Sequence, residues 1–486
     1  MTLALAALAT ACGSVDTTTE PEAARPRHWS APQRLGDTGS RVEHPCGAKD
    51  MCAPQVATTL AVGPQGHAVA AWSEADDDGR YFVRAARFVP SQGWLPSTRV
   101  PGDVPDSTRA LPRIGVDANG NAIAVWTESR LRGDGGGNGI VAMRFDGAAW
   151  SATQAIDPGG HWPSQPDLLV EPSGDATAVW NDGVRCWVFS ARFVAGRWEG
   201  PQLLSPGPQD PNRSGCFDGA FMSTDARVLA AVDGTALVEW HDHRGARGHW
   251  RPTVFWTRRA PGGGWRPAED VTERLAHSVR TAADDKGNVI GVGLSSTDNA
   301  GAIEARQFRV TGGWQAPVPL ASCTGTPCSP PGHDSQLWDS PTVAMSAGGV
   351  AVATWIEFGG RTHYPVWTSL YAPASGWGAP KRLTNFPSYA TLHAISVLPM
   401  DDGRVLAVWE TSERIGESVL WSSQLEPASD WGPAARVASS TQALSRTTAK
   451  LDARGNAIVI WTEEPRDAQG RNTGPVTLWA SRFAAD

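Results

Sequence analysis

The chain has 486 residues, 41% of them hydrophobic and 19% charged, with 52 glycines, 37 prolines and a formal net charge of −8. This is a globular, turn-rich composition, and its mild acidity with no basic stripe excludes nucleic acid as the natural partner. No apolar run reaches the ~20 residues that a membrane-spanning helix needs, so membrane contact is expected through a lipid anchor only.

The first stretch, residues 1–12, is short and apolar and ends Leu8-Ala9-Thr10-Ala11-Cys12. It resembles a bacterial signal peptide closing on a lipobox. That implies lipidation at Cys12 and export to the outer membrane or cell surface. No Lys or Arg precedes the apolar run and Ala9 stands where Leu or Val is commoner, so a plain secretory signal stays open. Residues 13–28 contain little that can pack and read as a disordered tether. Residues 29–486 read as one domain.

Two elements alternate through that domain. The first is Trp-x-x-Pro-x-x-Leu, which begins at Trp29 and returns, with drift, from Trp94, Trp150, Trp198, Trp265, Trp314, Trp377 and Trp431. A proline close behind the tryptophan suits an outer strand, where a missing backbone donor does little harm. The second is a glycine turn at Gly66, Gly120, Gly174, Gly234, Gly287, Gly349, Gly403 and Gly455, spaced by 52 to 62 residues. Six residues after the glycine stands Trp72, Trp126, Trp180, Trp240, Trp355, Trp409 or Trp461; the fifth copy has Gly293 instead. A fixed period of this length marks a repeat architecture.

One unit reads as four strands. Residues 112–117 form the first and 117–121 a tight hairpin, with Gly120 supplying the positive φ. Residues 122–126 form a second strand, apolar on both faces. Residues 140–145 and 150–156 follow as third and fourth. Four short antiparallel strands per repeat describe a β-propeller blade. The domain opens on a fourth-strand element at Trp29 and closes on a third-strand element at 478–483, so the N-terminal strand is expected to complete the last blade. Eight copies predict an all-β, eight-bladed propeller; seven blades with one aberrant repeat stay open, because blade four has a shortened turn and blade five lacks its tryptophan.

Loop lengths are lopsided. The one-to-two turns are short, and the three-to-four turns mostly so. The four-to-one loops are long, and the two-to-three loops often are. In an up-and-down blade the two long classes share one face, which is where function is expected. Beyond Cys12 there are six cysteines: Cys46, Cys52, Cys186, Cys216, Cys323 and Cys328. An even number in an exported chain suggests disulfides stiffening that face. Neighbours in sequence pair most simply as Cys46 with Cys52 and Cys323 with Cys328, leaving Cys186 with Cys216. Six cysteines allow fifteen connectivities, and zinc at the Cys323-x4-Cys328 spacing is a minor alternative.

The run Gly120-Asn121-Ala122-Ile123-Ala124-Val125-Trp126 resembles the repeats of sialidase-like, BNR-type propellers and of secreted bacterial lipoproteins, over about residues 29–486. The resemblance implies the propeller fold and no transferable activity. In sialidases the Asp-box joins the third and fourth strands; here Asp-x-x-Gly joins the first and second. No set of three arginines with a Tyr and an acid carries over, and only Tyr81, Tyr364, Tyr371 and Tyr389 exist.

Three constellations bear on chemistry. Two residues after the blade tryptophan stand Glu74, Glu128, Asp182, Asp242, Glu357 and Glu463, and Glu410 follows its tryptophan directly. They are candidates for binding sugar hydroxyls or cations, or for paired acids in glycoside chemistry; a feature present in most repeats more often serves its own blade's loop. His241 and His243 lie on one side of an extended segment with Glu239 and His249 close in sequence, a weak metal candidate. Trp162, Trp187, Trp250 and Trp338 lie outside the repeat positions, where a tryptophan stacks on sugars, anchors a partner or covers a blade edge. The expectation is a monomeric envelope lipoprotein that binds a glycan or an envelope protein without cofactor. A carbohydrate-active hydrolase or lyase and a purely structural scaffold are the alternatives.

Overall fold

The computed structural model describes residues 26–37, 58–75, 81–101, 112–129, 138–157, 163–182, 187–205, 221–232, 234–244, 251–272, 280–297, 300–324, 341–356, 363–387, 390–413, 417–467 and 473–485. These form eight antiparallel sheets of four strands in simple meander order, the fourth strand often in two short pieces. The first strand of each blade lies against the first strand of the next, and Ala443–Leu451 of blade eight lies against Thr58–Val62 of blade one. The ring is closed, with eight blades and not seven.

Blade two shows how the repeat becomes structure. Arg113–Val116 and Ala122–Ser129 pair through the turn at Asp117. The Asp117 carboxylate accepts the backbone N–H of Asn119 and Asn121, both at 2.8 Å, and the Asn121 side-chain amide at 2.7 Å. Gly120 sits at φ 82°, where any Cβ would strain the backbone and lie 2.8 Å from the His67 ring. The same carboxylate cradle recurs at Asp284 and Asp452. Ala118 N–H then donates to Pro172 of the next blade at 3.2 Å, so the turn also fixes blade spacing.

The fourth strand departs from the expected continuous segment. In blade two it is a bridge from Trp150 to Phe145, then Gln154–Ala155. In blade one it is Gly93–Trp94, then Thr98–Arg99, with Pro96 between. Where a proline falls in the gap it removes one ladder donor, which an outer edge tolerates.

Hydrophobic burial is divided among the seams. Eight apolar clusters fill the eight gaps between neighbouring blades. A repeat tryptophan points back to the preceding blade: Trp126 packs with Val83 and Ala85, and Trp72 with Ile460 and Leu478. All seven repeat tryptophans are buried. The seam between blades four and five is the one that lacks its repeat tryptophan, because Gly293 stands there. Its large aromatic comes from the opposite side. Trp256, on the third strand of blade four, occupies a position that holds Ala142, Ser190, Ala305 or Ser422 elsewhere. It stacks on Trp314 of blade five at 5.0 Å and meets Phe308 edge-on. The volume is conserved while its donor blade changes.

Blade eight is completed from both ends of the domain. Arg27–Trp29 and Gln33–Asp37 both pair with Thr477–Ala485. The sheet thus begins at Arg27, just inside the stretch expected to be tether. Trp29 packs on Phe483 at 5.2 Å and donates its indole N–H to Ser422 of blade seven at 2.8 Å. Leu35 joins the seam to blade one. Closure covers the edge that an open ring would expose.

A second device ties blades together outside the core. The strand-three arginine of one blade lies over the phenylalanine of the next: Arg87 on Phe145 at 3.9 Å, Arg144 on Phe193, Arg258 on Phe308 and, across the closing seam, Arg482 on Phe88 at 5.4 Å. The Arg-Phe pairs of the third strand are therefore staples between blades, arginine forward and phenylalanine backward.

Candidate functional site

In the first strands, alternate residues enter different surroundings. Seven residues before each turn glycine stand Thr59, Arg113, Asp167, Arg227, Arg280, Thr342, Ser396 and Thr448. Each pairs across its hairpin with the residue just ahead of the repeat-tryptophan position, from Thr59 with Ala71 to Thr448 with Ile460. All eight therefore share one level of the inner strands, close to the long-loop end. None is buried, whereas the residues that follow them, among them Leu60, Ile114, Val228, Thr281, Val397 and Ala449, are buried between blades. The eight line the mouth of the bore with hydroxyls, guanidinium groups and one carboxylate.

Bulges re-aim the inner strands at this end of blades three, four, seven and eight, between Ser164 and Asp167, Thr224 and Arg227, Leu392 and Ala394, and Ser445 and Thr448. Such bulges cluster where a sheet must present a side chain rather than complete its ladder. At the last of them Arg446 takes φ 56°, a strained value for a side-chain-bearing residue.

Two buried carboxylates stand behind this mouth, in opposite states. Glu239, on the second strand of blade four, is 0% exposed. It accepts from Thr281 Oγ1 at 2.7 Å, Arg227 Nη2 at 2.8 Å and Trp256 Nε1 at 3.1 Å, with His241 Nε2 at 3.4 Å. Burial alone pushes its carboxyl upward. The His241 hydrogen bond and the Arg227 charge outweigh that and bring it from 4.5 down to about 2. Thr281 belongs to blade five, so this carboxylate also stitches the seam that lost its repeat tryptophan.

Glu410, on the second strand of blade seven, is equally buried. It receives one hydrogen bond, from Thr447 of blade eight at 2.8 Å, and its Oε1 has no hydrogen-bond partner among the described residues. Burial pushes this carboxyl up and nearby Glu464 adds to it, against the Thr447 bond. Glu464 itself accepts from Ser445 and Arg466, each at 2.7 Å.

The residues singled out from sequence distribute unevenly. Glu74 is engaged by Arg84 of its own blade. Glu463 accepts from Trp479 Nε1 at 2.8 Å and from the Ser440 hydroxyl. Asp182 is buried, and its cross-strand neighbour Trp187 is half-buried and edge-on to Phe189 at 6.0 Å. His241 serves Glu239. Glu128, Asp242, His243 and Cys323 hold strand positions at the long-loop end, but their side chains lie outside the described set. Trp162, Trp250, Trp338, Glu357, His249, Cys12, Cys46, Cys52, Cys186, Cys216 and Cys328 lie outside the described residues altogether. Among the described residues no cluster of three His, Cys, Asp or Glu is placed to hold a metal ion. Sequence reasoning missed the inner-strand ring, although its signal is present as a constant offset of seven from each turn glycine.

No protein-family model matches the chain, and no curated protein matches it. Among solved structures it is similar to the BP39L lectin from Burkholderia pseudomallei, at 14% identity and TM-score 0.44, covering 79% of this chain and 99% of that one. It is similar to a PL25 ulvan lyase, a polysaccharide lyase, at 10% identity and TM-score 0.45, over 79% and 92% of the two chains. It is also similar to the Hadza microbial sialidase Hz136, at 12% identity and TM-score 0.37, over 70% and 73%.

Proposed function

We propose that this protein binds a glycan at the long-loop face of its propeller and releases it uncleaved, as an exported, lipid-anchored module of the cell envelope. The observation that carries the reading is the ring at the bore mouth, where hydroxyl, guanidinium and carboxylate groups from eight blades stand open at one level. A polyhydroxylated ligand is matched by such an array of donors and acceptors. Trp187, half-buried on the same face, adds an aromatic surface of the kind that stacks on sugar rings. The acids Glu74, Glu239 and Glu463 are held by partners within the fold and are not poised as a free catalytic pair. The lipobox-like end at Cys12 supports the anchor.

Glycan-array binding by the purified protein, with mass spectrometry of the bound sugar, tests this. An intact ligand supports the reading. Absence of any glycan binding refutes it and directs attention to a protein partner. Incorporation of labelled fatty acid, lost in Cys12→Ala, tests the anchor. One observation favours a second reading, a hydrolase or lyase: Glu410, buried behind the mouth, combines a raised carboxyl with an oxygen that has no hydrogen-bond partner among the described residues, so it holds a proton that a substrate could take once the site opens to it. A cleaved sugar in the same assay, with turnover lost in Glu410→Gln, would establish it.

A further inference from the structure

One level deeper in the bore, five residues before its turn glycine, blade eight carries Lys450. It pairs with Ile458. The same level on the other blades holds Ala61, Gly115, Leu169, Ala230, Ala282, Ala344 and Leu398. Seven small or apolar residues and one lysine is not what a repeat produces by copying. Packing does not account for it either, because the side chain is exposed to water.

Its surroundings locate it. Burial is the main influence that lowers the Lys450 ammonium, and Asp167 and Arg113 act on it electrostatically. Lys450 stands two residues after Thr448 on the innermost strand of blade eight, so its exposed side chain leaves the strand on the same side as the ring residue. Asp167 and Arg113 belong to blades three and two, so they reach a blade-eight lysine only across the bore. Asp167 is already engaged: it accepts the Val228 N–H at 3.0 Å and faces Arg113 at 3.9 Å. Arg227 is matched by buried Glu239. Arg280, at the ring level, is exposed. Among the described inner-strand residues of these two levels, Arg113, Arg227, Arg280 and Lys450 thus stand with a single carboxylate, Asp167. The excess is positive in a chain whose formal charge is −8. A low-dielectric tube with an excess of one sign concentrates counter-ions of the other.

We propose that the bore is an anion site, in which Lys450, Arg113 and Arg280 hold an oxyanion that enters from the long-loop mouth. Two sources share this chemistry: a carboxylate or sulfate substituent on a sugar, and a free inorganic anion. The proposal goes beyond glycan binding and does not depend on it, since the bore accepts an anion whether or not a sugar carries it. Asp167 is a positioning residue that limits the positive field and holds the blade-four bulge.

Isothermal titration calorimetry of the full-length protein with sodium sulfate, sodium phosphate, glucuronate and glucose tests it. Binding of an inorganic anion or of glucuronate, with glucose silent or unaffected by added sulfate, is the expected result. Lys450→Met should weaken anion binding at least tenfold, and Lys450→Arg should retain it. Asp167→Asn should strengthen it several-fold, the opposite sign, which a merely structural disturbance would not give. Circular dichroism and thermal melting check that the variants fold; the exposed position of Lys450 makes Lys450→Met the safer one. If sulfate, phosphate and glucuronate all fail to bind wild type, or if Lys450→Met binds them as wild type does, the proposal is wrong. Glucose or a neutral glycan bound without any anion would overturn it and leave glycan binding standing. Competition separates the sources: sulfate that displaces glucuronate places the sugar's acid in the bore, and sulfate binding alone identifies an inorganic ligand.

Discussion

Replacing Glu239 by Gln keeps the shape of the side chain and removes its charge. The carboxyl titrates at about 2 in the fold against 4.5 when free. At about 1.4 kcal/mol per pH unit, that difference stabilises the folded chain by about 3 kcal/mol at neutral pH. A folded value below the free value means the contribution is complete above 4.5 and is lost as pH falls toward 2. E239Q also replaces one acceptor oxygen by an amide NH2, which then faces either Arg227 and His241 or Trp256 and Thr281, and this adds a cost that does not depend on the titration of residue 239. Urea denaturation of wild type and E239Q at several values between pH 7 and pH 3 separates the two parts. The expected gap is at least about 3 kcal/mol at pH 7, shrinking steadily as pH falls below 4.5. A gap that stays constant across this range would refute the argument that the charge of Glu239, rather than its shape, underlies its contribution to stability.

Three further outcomes follow from the same geometry. W256A empties the seam that already lacks a repeat tryptophan and should cost about 3–5 kcal/mol by urea denaturation, as burial of a large aromatic implies. R482A removes the cation over Phe88 at the closing seam and should cost about 1 kcal/mol, with R482K recovering part of it. E410Q has the opposite sense to E239Q. A carboxyl raised by burial weakens the fold once pH exceeds the free value of 4.5, because the unfolded chain then ionises more readily. E410Q should therefore raise the urea midpoint at pH 7 and leave it unchanged at about pH 3.

The glycine turn, the tryptophan six residues later and the permuted ends predict the propeller and its closure and favour eight blades over seven; the paired sheets of the ring decide for eight. Each is a local or periodic constraint: a positive φ, a two-faced apolar strand, an unpaired terminal strand. The sequence also showed which face carries the long loops, because antiparallel order alone puts the four-to-one and two-to-three connections together. It did not show which polar residues converge. Glu74 and Glu463 look alike by offset from the tryptophan, yet one meets an arginine and the other an indole and a serine. Glu239 and Glu410 flank their tryptophans on opposite sides in sequence, and both are fully buried, one satisfied and one not. Trp256 fills a gap that Gly293 opens on another blade, a substitution across a seam that no single repeat records. Lys450 acquires its meaning only beside Asp167 and Arg113, nearly three hundred residues or more away in sequence. Periodicity encodes what each blade does for itself. Closing the ring brings unrelated positions to one axis, and the charge found there depends on distances that only the closed ring sets.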